Sequence, residues 1–166
     1  GRYYSLRRVD ALAIHRAMES AERFRSGQGW WFPDDWGNWT KPQGGQLTLR
    51  LTGDQPKRLY LGLRGLADNE QPFTISLGGG VARTDTLDPQ ETRWIALRIE
   101  ADVFATGELT IGLKGEAFDD FAVSTRGVDT RKSGLGLVGF MICEEGDLLS
   151  RADFMEALTL DQLDTL

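Results

Sequence analysis

Aromatic, carboxylate and amide side chains are concentrated in one stretch of the sequence, residues 27–40, which reads GQGWWFPDDWGNWT. Proteins hold sugars by laying an aromatic ring against the apolar face of a pyranose, while polar side chains hydrogen-bond the hydroxyls around its edge. The stretch therefore predicts a carbohydrate site with a tryptophan platform, a polar rim and an arginine opposite. The residues predicted to form this site are Trp31, Asp34, Asp35, Asn38 and Arg131.

The same stretch also has a structural interpretation, in which its tryptophan rings are buried together. It holds four of the chain's five tryptophans, and exposing about 200 Å² of aromatic surface on each ring without a ligand is unfavourable. Because Gly37 allows the backbone to approach its neighbours closely, we expect a folded corner. We expect Trp36 and Trp39 in the core, whereas Trp31, which points away from its neighbour Trp30 in an extended chain, is the exposed ring.

Catalysis by an activated nucleophile is not predicted. The only histidine is His15, far in sequence from the only cysteine, Cys143, which ends an apolar segment where cysteine is usually an inert hydrophobe. A Ser-His-Asp or Cys-His site needs a histidine that is oriented by a carboxylate beside the nucleophile. Zinc needs more ligands than one histidine and one cysteine. We therefore expect a non-enzymatic chain without a cofactor, apart from the calcium hypothesis below.

Calcium is the one metal for which the sequence offers candidates. Calcium takes hard oxygen ligands that cluster on loops. The loop carboxylates that best fit this role are Asp119, Asp120 and Asp129. No spacing typical of an EF-hand supports the site, and solvated loop carboxylates are the alternative.

Length and charge restrict the classes of partner. The chain has 166 residues, 40% of them hydrophobic, which is enough for one domain with its own core. A net charge of −6 argues against nucleic acid and anionic membranes. We expect no membrane insertion, because no apolar run reaches about 18 residues. A single cysteine fits a reducing compartment, and we expect a bacterial cytoplasmic location and, since the chain begins at Gly1, a piece of a longer protein.

A period of two in hydrophobicity predicts strands across the middle of the chain. Turn residues separate the alternating segments, and no segment leads into a helix as a parallel α/β sheet would require. The expected fold is therefore all-β, an antiparallel β-sandwich of jelly-roll type. The predicted strands are Gln46–Leu51, Lys57–Gly65, Phe73–Gly78, Arg93–Glu100, Glu108–Gly115 and Leu135–Cys143.

Helices are expected on both sides of the sandwich. Apolar residues at three- and four-residue steps predict an amphipathic helix over Ser5–Arg25. Ser150, followed by an acidic residue three positions later, predicts the start of a short C-terminal helix over Ser150–Leu158. The expected units are an N-terminal helix or linker from an upstream domain at 1–28, the sandwich at 29–146 and a helical extension at 147–166.

The tryptophan stretch resembles the opening motif of β-sandwich domains found beside bacterial glycosyltransferase domains in polysaccharide-synthesis proteins. That motif is Gly-Trp-x-x-Pro-Glu/Asp-x-Trp-Gly-x-Trp-Ser/Thr, and residues 29–40 read GWWFPDDWGNWT. Those domains close with an Asp-x-Arg-x-Leu-Gly element, which residues 127–142, GVDTRKSGLGLVGFMI, match loosely with one inserted residue. The resemblance covers residues 29–143. The residues that match its motifs include Trp30, Trp36, Gly37, Trp39, Asp129 and Arg131.

The resemblance implies a carbohydrate-binding-like accessory domain, with a glycan and an upstream glycosyltransferase domain of the same chain as partners. It also suggests a structural clamp, in which Arg131 stacks on Trp36 or Trp39 and pairs with Asp34 or Asp35. The alternative function is a structural spacer or oligomerisation module that docks through the apolar stripe of residues 6–24.

Overall fold

Two stacked β-sheets make up most of the structure, a computed structural model that describes residues 3–12 and 18–162. His15 lies outside the described residues. The strands, in chain order, are β1 (Tyr3–Ser5), β2 (Met18–Ser20), β3 (Arg25–Ser26), β4 (Asn38–Trp39), β5 (Gly45–Arg50), β6 (Lys57–Arg64), β7 (Gln71–Leu77), β8 (Gly80–Leu87), β9 (Thr92–Ile99), β10 (Glu108–Gly115), β11 (Asp119–Asp120), β12 (Lys132–Ser133) and β13 (Gly136–Glu144). The α-helices are α1 (Phe121–Ser124) and α2 (Leu148–Gln162), and the 3₁₀ turns are Val9–Leu12, Glu22–Phe24 and Ala101–Phe104.

The strand order confirms the predicted all-β sandwich. One sheet has the order β2-β1-β13-β6-β9, with β4 also paired to β13, and the other has the order β3-β5-β10-β7-β8. Strands β11 and β12 form a small separate ribbon. Every pairing between these strands is antiparallel except that of β1 with β2, which precedes the predicted sandwich range.

The core lies between the sheets, because alternate residues of each strand face inward. Burying a leucine or isoleucine side chain contributes about 1.5–3 kcal/mol, so this layer supplies most of the stability of the sandwich. The buried residues of the layer include Leu47, Leu61, Phe73, Ile75, Ile95, Ile111, Leu137 and Phe140.

Helix α2 covers the outer face of the first sheet. Its Phe154 is fully buried, with its ring centroid 4.8 Å from that of Tyr60 and 5.4 Å from that of Trp94. The predicted C-terminal helix is therefore confirmed, although it begins earlier than expected. Asp147 caps it, since one Asp147 carboxylate oxygen accepts the backbone N–H of Ser150 at 3.0 Å and the other accepts its hydroxyl at 2.7 Å.

The prediction of an amphipathic helix over Ser5–Arg25 is wrong for the described residues of that segment. They form β1, β2, β3 and two 3₁₀ turns, and Tyr4 of β1 pairs with Phe140 of β13. The buried residues Leu6 and Ala21 belong to the sandwich core. Their helical spacing therefore marks the positions at which an irregular segment enters the core, and it does not indicate a helix. Pairing with the sheet overrides the helix propensity of this segment. Leu6 and Ala21 are therefore not available to the predicted docking stripe of residues 6–24.

Strand β8 was not predicted. It lies at the edge of the second sheet, and most of its residues are exposed. An edge strand that faces solvent carries no apolar alternation, so its sequence, GVARTDTL, has no period-two signal. Neither α-helix of the described chain is long and apolar enough to cross a bilayer.

Candidate functional site

The tryptophan stretch and the closing element lie side by side. Trp39 of β4 pairs with Gly136 of β13, and the hydroxyl of Thr40 donates to the carbonyl oxygen of Leu135 at 2.9 Å. The loop before β4 approaches β13 so closely that a Cβ on Gly37 would lie 2.4 Å from the carbonyl oxygen of Leu137. Only glycine fits there, which explains the Trp-Gly step of the opening motif.

An open cleft of about 510 Å³ lies between the tryptophan loop, the end of β6 and the closing element. Aromatic and charged side chains meet on its concave surface. The side chains that form its walls include Asp34, Asp35, Trp36, Arg64, Phe121 and Arg131. We call this surface the Trp36 cleft.

Trp36 and Trp39 form the aromatic wall of the Trp36 cleft. Their ring centroids are 4.8 Å apart at an interplanar angle of 70°, an edge-to-face contact. Trp39 is only 7% exposed, which confirms its expected burial. Trp36 is half-buried, so its expected place in the core is corrected to the cleft wall.

Arg131 joins the opening and closing elements by ion pairs. Its guanidinium donates to Asp129 at 2.8 Å and to Asp34 at 3.2 Å. The hydrogen bonds from Arg131 hold the pKa of Asp129 below its ordinary value. The predicted ion pair with Asp34 is present.

The predicted stacking partner of Arg131 is wrong. Its guanidinium carbon lies 4.6 Å from the ring centroid of Phe32 and 5.4 Å from that of Phe121. The arginine over the tryptophans is Arg64, whose guanidinium carbon is 4.1 Å from the centroid of Trp36 and 5.7 Å from that of Trp39. Arg64 could not be identified from the sequence, because a charged residue that ends an alternating strand is expected in solvent.

Asn38 is not part of a polar rim, which corrects the sequence prediction. Its side chain is 0% exposed. The amide donates to the carbonyl oxygens of Trp31 at 2.7 Å and Trp39 at 3.1 Å, and its oxygen accepts from Arg25 at 2.6 Å. All three bonds are internal, so Asn38 holds the tryptophan loop in shape.

Trp31, the predicted platform, lies outside the Trp36 cleft. Its indole N–H donates to the carbonyl oxygen of Lys132 at 2.8 Å, and the ammonium of Lys41 is 4.8 Å from its ring centroid. The ring is half-buried. Asp35, by contrast, is exposed at the cleft and forms an ion pair with Arg8. The structure therefore brings together Asp34, Asp35 and Arg131 of the predicted site.

The calcium hypothesis does not fit the positions of its three aspartates. Asp119 accepts the backbone N–H of Ala67 at 3.1 Å, Asp120 caps α1, and Asp129 is paired with Arg131. Among residues 3–12 and 18–162, no three acidic, histidine or cysteine side chains form a group that could hold a metal ion. These carboxylates have structural partners instead.

Cys143 is half-buried near α2, and burial raises the pKa of its thiol. A raised pKa lowers the thiolate fraction at neutral pH, which is the opposite of what a nucleophilic cysteine requires.

A second groove, of about 350 Å³, crosses the second sheet. Among the described residues, its lining includes the polar side chains of Gln46, Ser76 and Lys114 around Gly112 and no aromatic ring. It has donors and acceptors but no wall on which a sugar ring could stack.

Comparison with known proteins gives structural relatives only. No protein-family model matches the chain, and no curated protein sequence matches it. Among solved structures, the chain is similar to the CBM36-1 domain of a multidomain xylanase from the hindgut metagenome of Trinervitermes trinervoides. The identity is 14% and the TM-score 0.49, and the alignment covers 76% of this chain and 94% of that one.

Two further similar structures are modules of carbohydrate-active proteins. One is carbohydrate-binding module CBM36 in complex with calcium and xylotriose, with 15% identity, a TM-score of 0.44 and coverage of 74% of this chain and 94% of that one. The other contains the CBM22-1 and GH10 modules of xylanase 10B from Clostridium thermocellum, with 10% identity and a TM-score of 0.45. That alignment covers 66% of this chain and 21% of the xylanase chain.

Proposed function

We propose that this chain is a non-catalytic carbohydrate-binding domain and that it holds a glycan in the Trp36 cleft. The observation that carries the proposal is the meeting of a half-buried tryptophan wall with ion-paired carboxylates and guanidinium groups in one open cleft. A pyranose presents an apolar face and a ring of hydroxyls, and this combination of side chains complements both. The ion pairs hold the polar groups in place before any ligand arrives, which lowers the entropy cost of binding.

Each wall of the cleft has a separate role in this proposal. Trp36 supplies the apolar contact. Asp34 uses one carboxylate oxygen to accept from Arg131, and its other oxygen accepts no hydrogen bond from the described residues, so it remains for a sugar hydroxyl. Asp35 stands at the exposed rim with its ion-pair partner Arg8.

The affinity for a single sugar unit is expected to be weak. A stacked aromatic contact contributes about 1 kcal/mol beyond burial, and an open cleft buries only part of a sugar ring. We expect dissociation constants from micromolar to millimolar, which several copies of the domain on one polymer would strengthen.

The larger protein is proposed to be a bacterial polysaccharide-synthesis protein with a glycosyltransferase domain upstream of this chain, in the cytoplasm. The support is the match of residues 29–40 to the opening motif of domains that accompany such enzymes. The Asp129–Arg131 ion pair adds support, because the closing element supplies both residues.

The test is glycan binding by the full chain and three alanine variants, first on an array and then by calorimetry. We expect Trp36→Ala and Asp35→Ala to weaken binding about tenfold or more, whereas Lys114→Ala in the second groove leaves it unchanged. Thermal melting of each variant separates lost binding from lost folding; Asp35 is exposed, so its variant should melt normally. Loss of binding in Lys114→Ala alone would move the site to the second groove.

An interaction module remains the alternative function, favoured by two exposed leucines at the start of α2, Leu148 and Leu149. Light scattering at several protein concentrations tests it. A concentration-dependent dimer that Leu149→Glu abolishes, together with no glycan binding, would favour this alternative over the proposed function.

A further inference from the structure

Arg64 is the one arginine of the Trp36 cleft that has no hydrogen-bond acceptor among the described residues. It ends β6, and its guanidinium lies over Trp36, whose centroid is 4.1 Å away. It makes no hydrogen bond and no ion pair with any residue in the described ranges. The other two cleft arginines are paired, Arg8 with Asp35 and Arg131 with Asp34 and Asp129.

Partial burial disfavours the positive charge of Arg64. Its surroundings are partly desolvated, which lowers its pKa from the ordinary value, while the nearby charge of Asp34 acts in the opposite direction. Arginine remains protonated in spite of this shift. A guanidinium has five N–H donors, and those of Arg64 that face the cleft are available to acceptors on a ligand.

The position of Arg64 relative to Trp36 matters for recognition. A sugar ring that packs against the exposed part of Trp36 would lie beside the guanidinium. Gly136 allows this arrangement, since a Cβ there would lie 2.8 Å from the Trp36 ring and 2.9 Å from the Cβ of Arg64. The local backbone therefore places the free cation and the aromatic wall together.

The positive charge of the cleft that has no partner belongs to Arg64. Three arginines and two aspartates line the cleft, and Asp10 and Asp129 pair with Arg8 and Arg131 from beside it. The charges of Arg8 and Arg131 are therefore balanced by aspartates, whereas the guanidinium of Arg64 is open to an anionic group of a ligand.

We propose that Arg64 binds the carboxylate of an acidic sugar, so that the cleft selects glycans that contain uronic acid residues. This inference rests on the proposed function. The planar guanidinium matches a carboxylate with two parallel N–H···O bonds, a geometry that a neutral hydroxymethyl group does not offer. A carboxylate at C6 of a pyranose stands at the edge of the ring, where it can reach Arg64 while the ring contacts Trp36.

The experiment compares four forms of one trisaccharide by calorimetry with the full chain. They are the neutral β-glucan trisaccharide, its counterpart with one residue oxidised at C6 to the uronate, the methyl ester of that uronate, and the C6 phosphate. We expect the uronate to bind at least tenfold more tightly than the neutral form and the ester, and more tightly than the phosphate. The preference should decrease as salt is added, since the attraction is electrostatic.

Substitution of Arg64 identifies the group that gives the preference. Arg64→Gln should remove the uronate-to-neutral ratio, and Arg64→Lys, which keeps the charge without the fork, should retain part of it. Arg50→Gln is the matched control, because Arg50 is exposed on β5 and does not line the cleft. Melting curves establish that each variant folds; if Arg64→Gln does not, the lysine variant and the ester comparison still decide.

The outcomes separate the two proposals. Equal affinity for the neutral and uronate forms would overturn this inference and leave the proposed function standing. A preference that survives Arg64→Gln, or tighter binding of the phosphate, would also overturn it. Failure of all four sugars to bind, with no hit among other acidic or neutral glycans, would overturn both proposals.

Discussion

Replacing Asn38 with alanine should destabilise the sandwich by about 2–4 kcal/mol. Asn38 lies at the boundary between the tryptophan loop and β4, fully buried, and its amide makes three internal hydrogen bonds. Alanine removes all three bonds. Because nothing exposed is lost, any effect of the variant on glycan binding should come through the shape of the loop.

The three bonds do not contribute equally. The carbonyl oxygen of Trp39 also accepts the backbone N–H of Trp31 at 3.1 Å, so it keeps a partner. Arg25 keeps an ion pair with Glu22 at 3.3 Å. The carbonyl oxygen of Trp31 loses the only hydrogen bond that the described residues give it, and an unsatisfied buried acceptor costs about 1–3 kcal/mol. The weakened contact to Arg25 adds about 1 kcal/mol, which gives the total.

Urea unfolding followed by tryptophan fluorescence measures this change. For a domain of this size, about 3 kcal/mol corresponds to a decrease in Tm of roughly 10 °C. Asn38→Asp should be similarly destabilised, because it keeps the acceptor for Arg25 but turns an anionic oxygen toward two carbonyls. Gln43→Ala is the control in the neighbouring turn between β4 and β5, since Gln43 is exposed. A loss below about 1 kcal/mol with abolished glycan binding would refute the reasoning and restore Asn38 as a ligand contact.

Three further predictions follow from the burial and the ion pairs. Phe154→Ala should cost about 3–5 kcal/mol in urea unfolding, because it empties a fully buried aromatic site, whereas Met155→Ala on the exposed side of α2 should cost little; equal effects would contradict the packing. The pKa of Asp129 is lowered by Arg131, so its contribution to stability is present above about pH 3.9, the ordinary value for Asp, and is lost as the pH falls below it. Asp129→Asn should flatten the acid limb of the stability curve, and an unchanged acid limb would contradict the ion pair. Cys143 should react with iodoacetamide at pH 8 more slowly than a free thiol until urea unfolds the chain, since burial raises its pKa; rapid alkylation of the folded chain would contradict this.

The strands could be predicted because one face of each is buried and the other faces solvent or helix. Segment Glu108–Gly115 alternates along its whole length, and its predicted bounds are those observed. The N-terminal segment could not be predicted by the same reasoning. Leu6 and Ala21 are buried by contacts with distant strands, and their spacing coincided with a helical period. Periodicity reports burial, and burial alone does not identify the backbone conformation.

The sequence predicted which types of side chain form the candidate site, but it did not predict how they are arranged. The sequence placed aromatic and carboxylate groups together, and Asp34, Asp35 and Arg131 do line one cleft. The inward position of Asn38 could not be predicted, because an asparagine beside tryptophans can belong either to a buried hydrogen-bond network or to the polar rim of a ligand site. The sequence also could not identify Arg64, since that residue meets Trp36 only through the pairing of β6 with β13.

The residues that build the cleft and the residue proposed to select its ligand belong to different parts of the sequence. Arg131 and Asp129 come from the closing element, and their charges are satisfied by each other and by Asp34, so they fix the shape of the cleft. Arg64 lies in β6, outside both motifs, and its charge is satisfied by no described residue. Domains with the same two motifs should therefore share the clamp. Their choice of ligand should depend on the residue that occupies the position of Arg64 over the Trp36 ring.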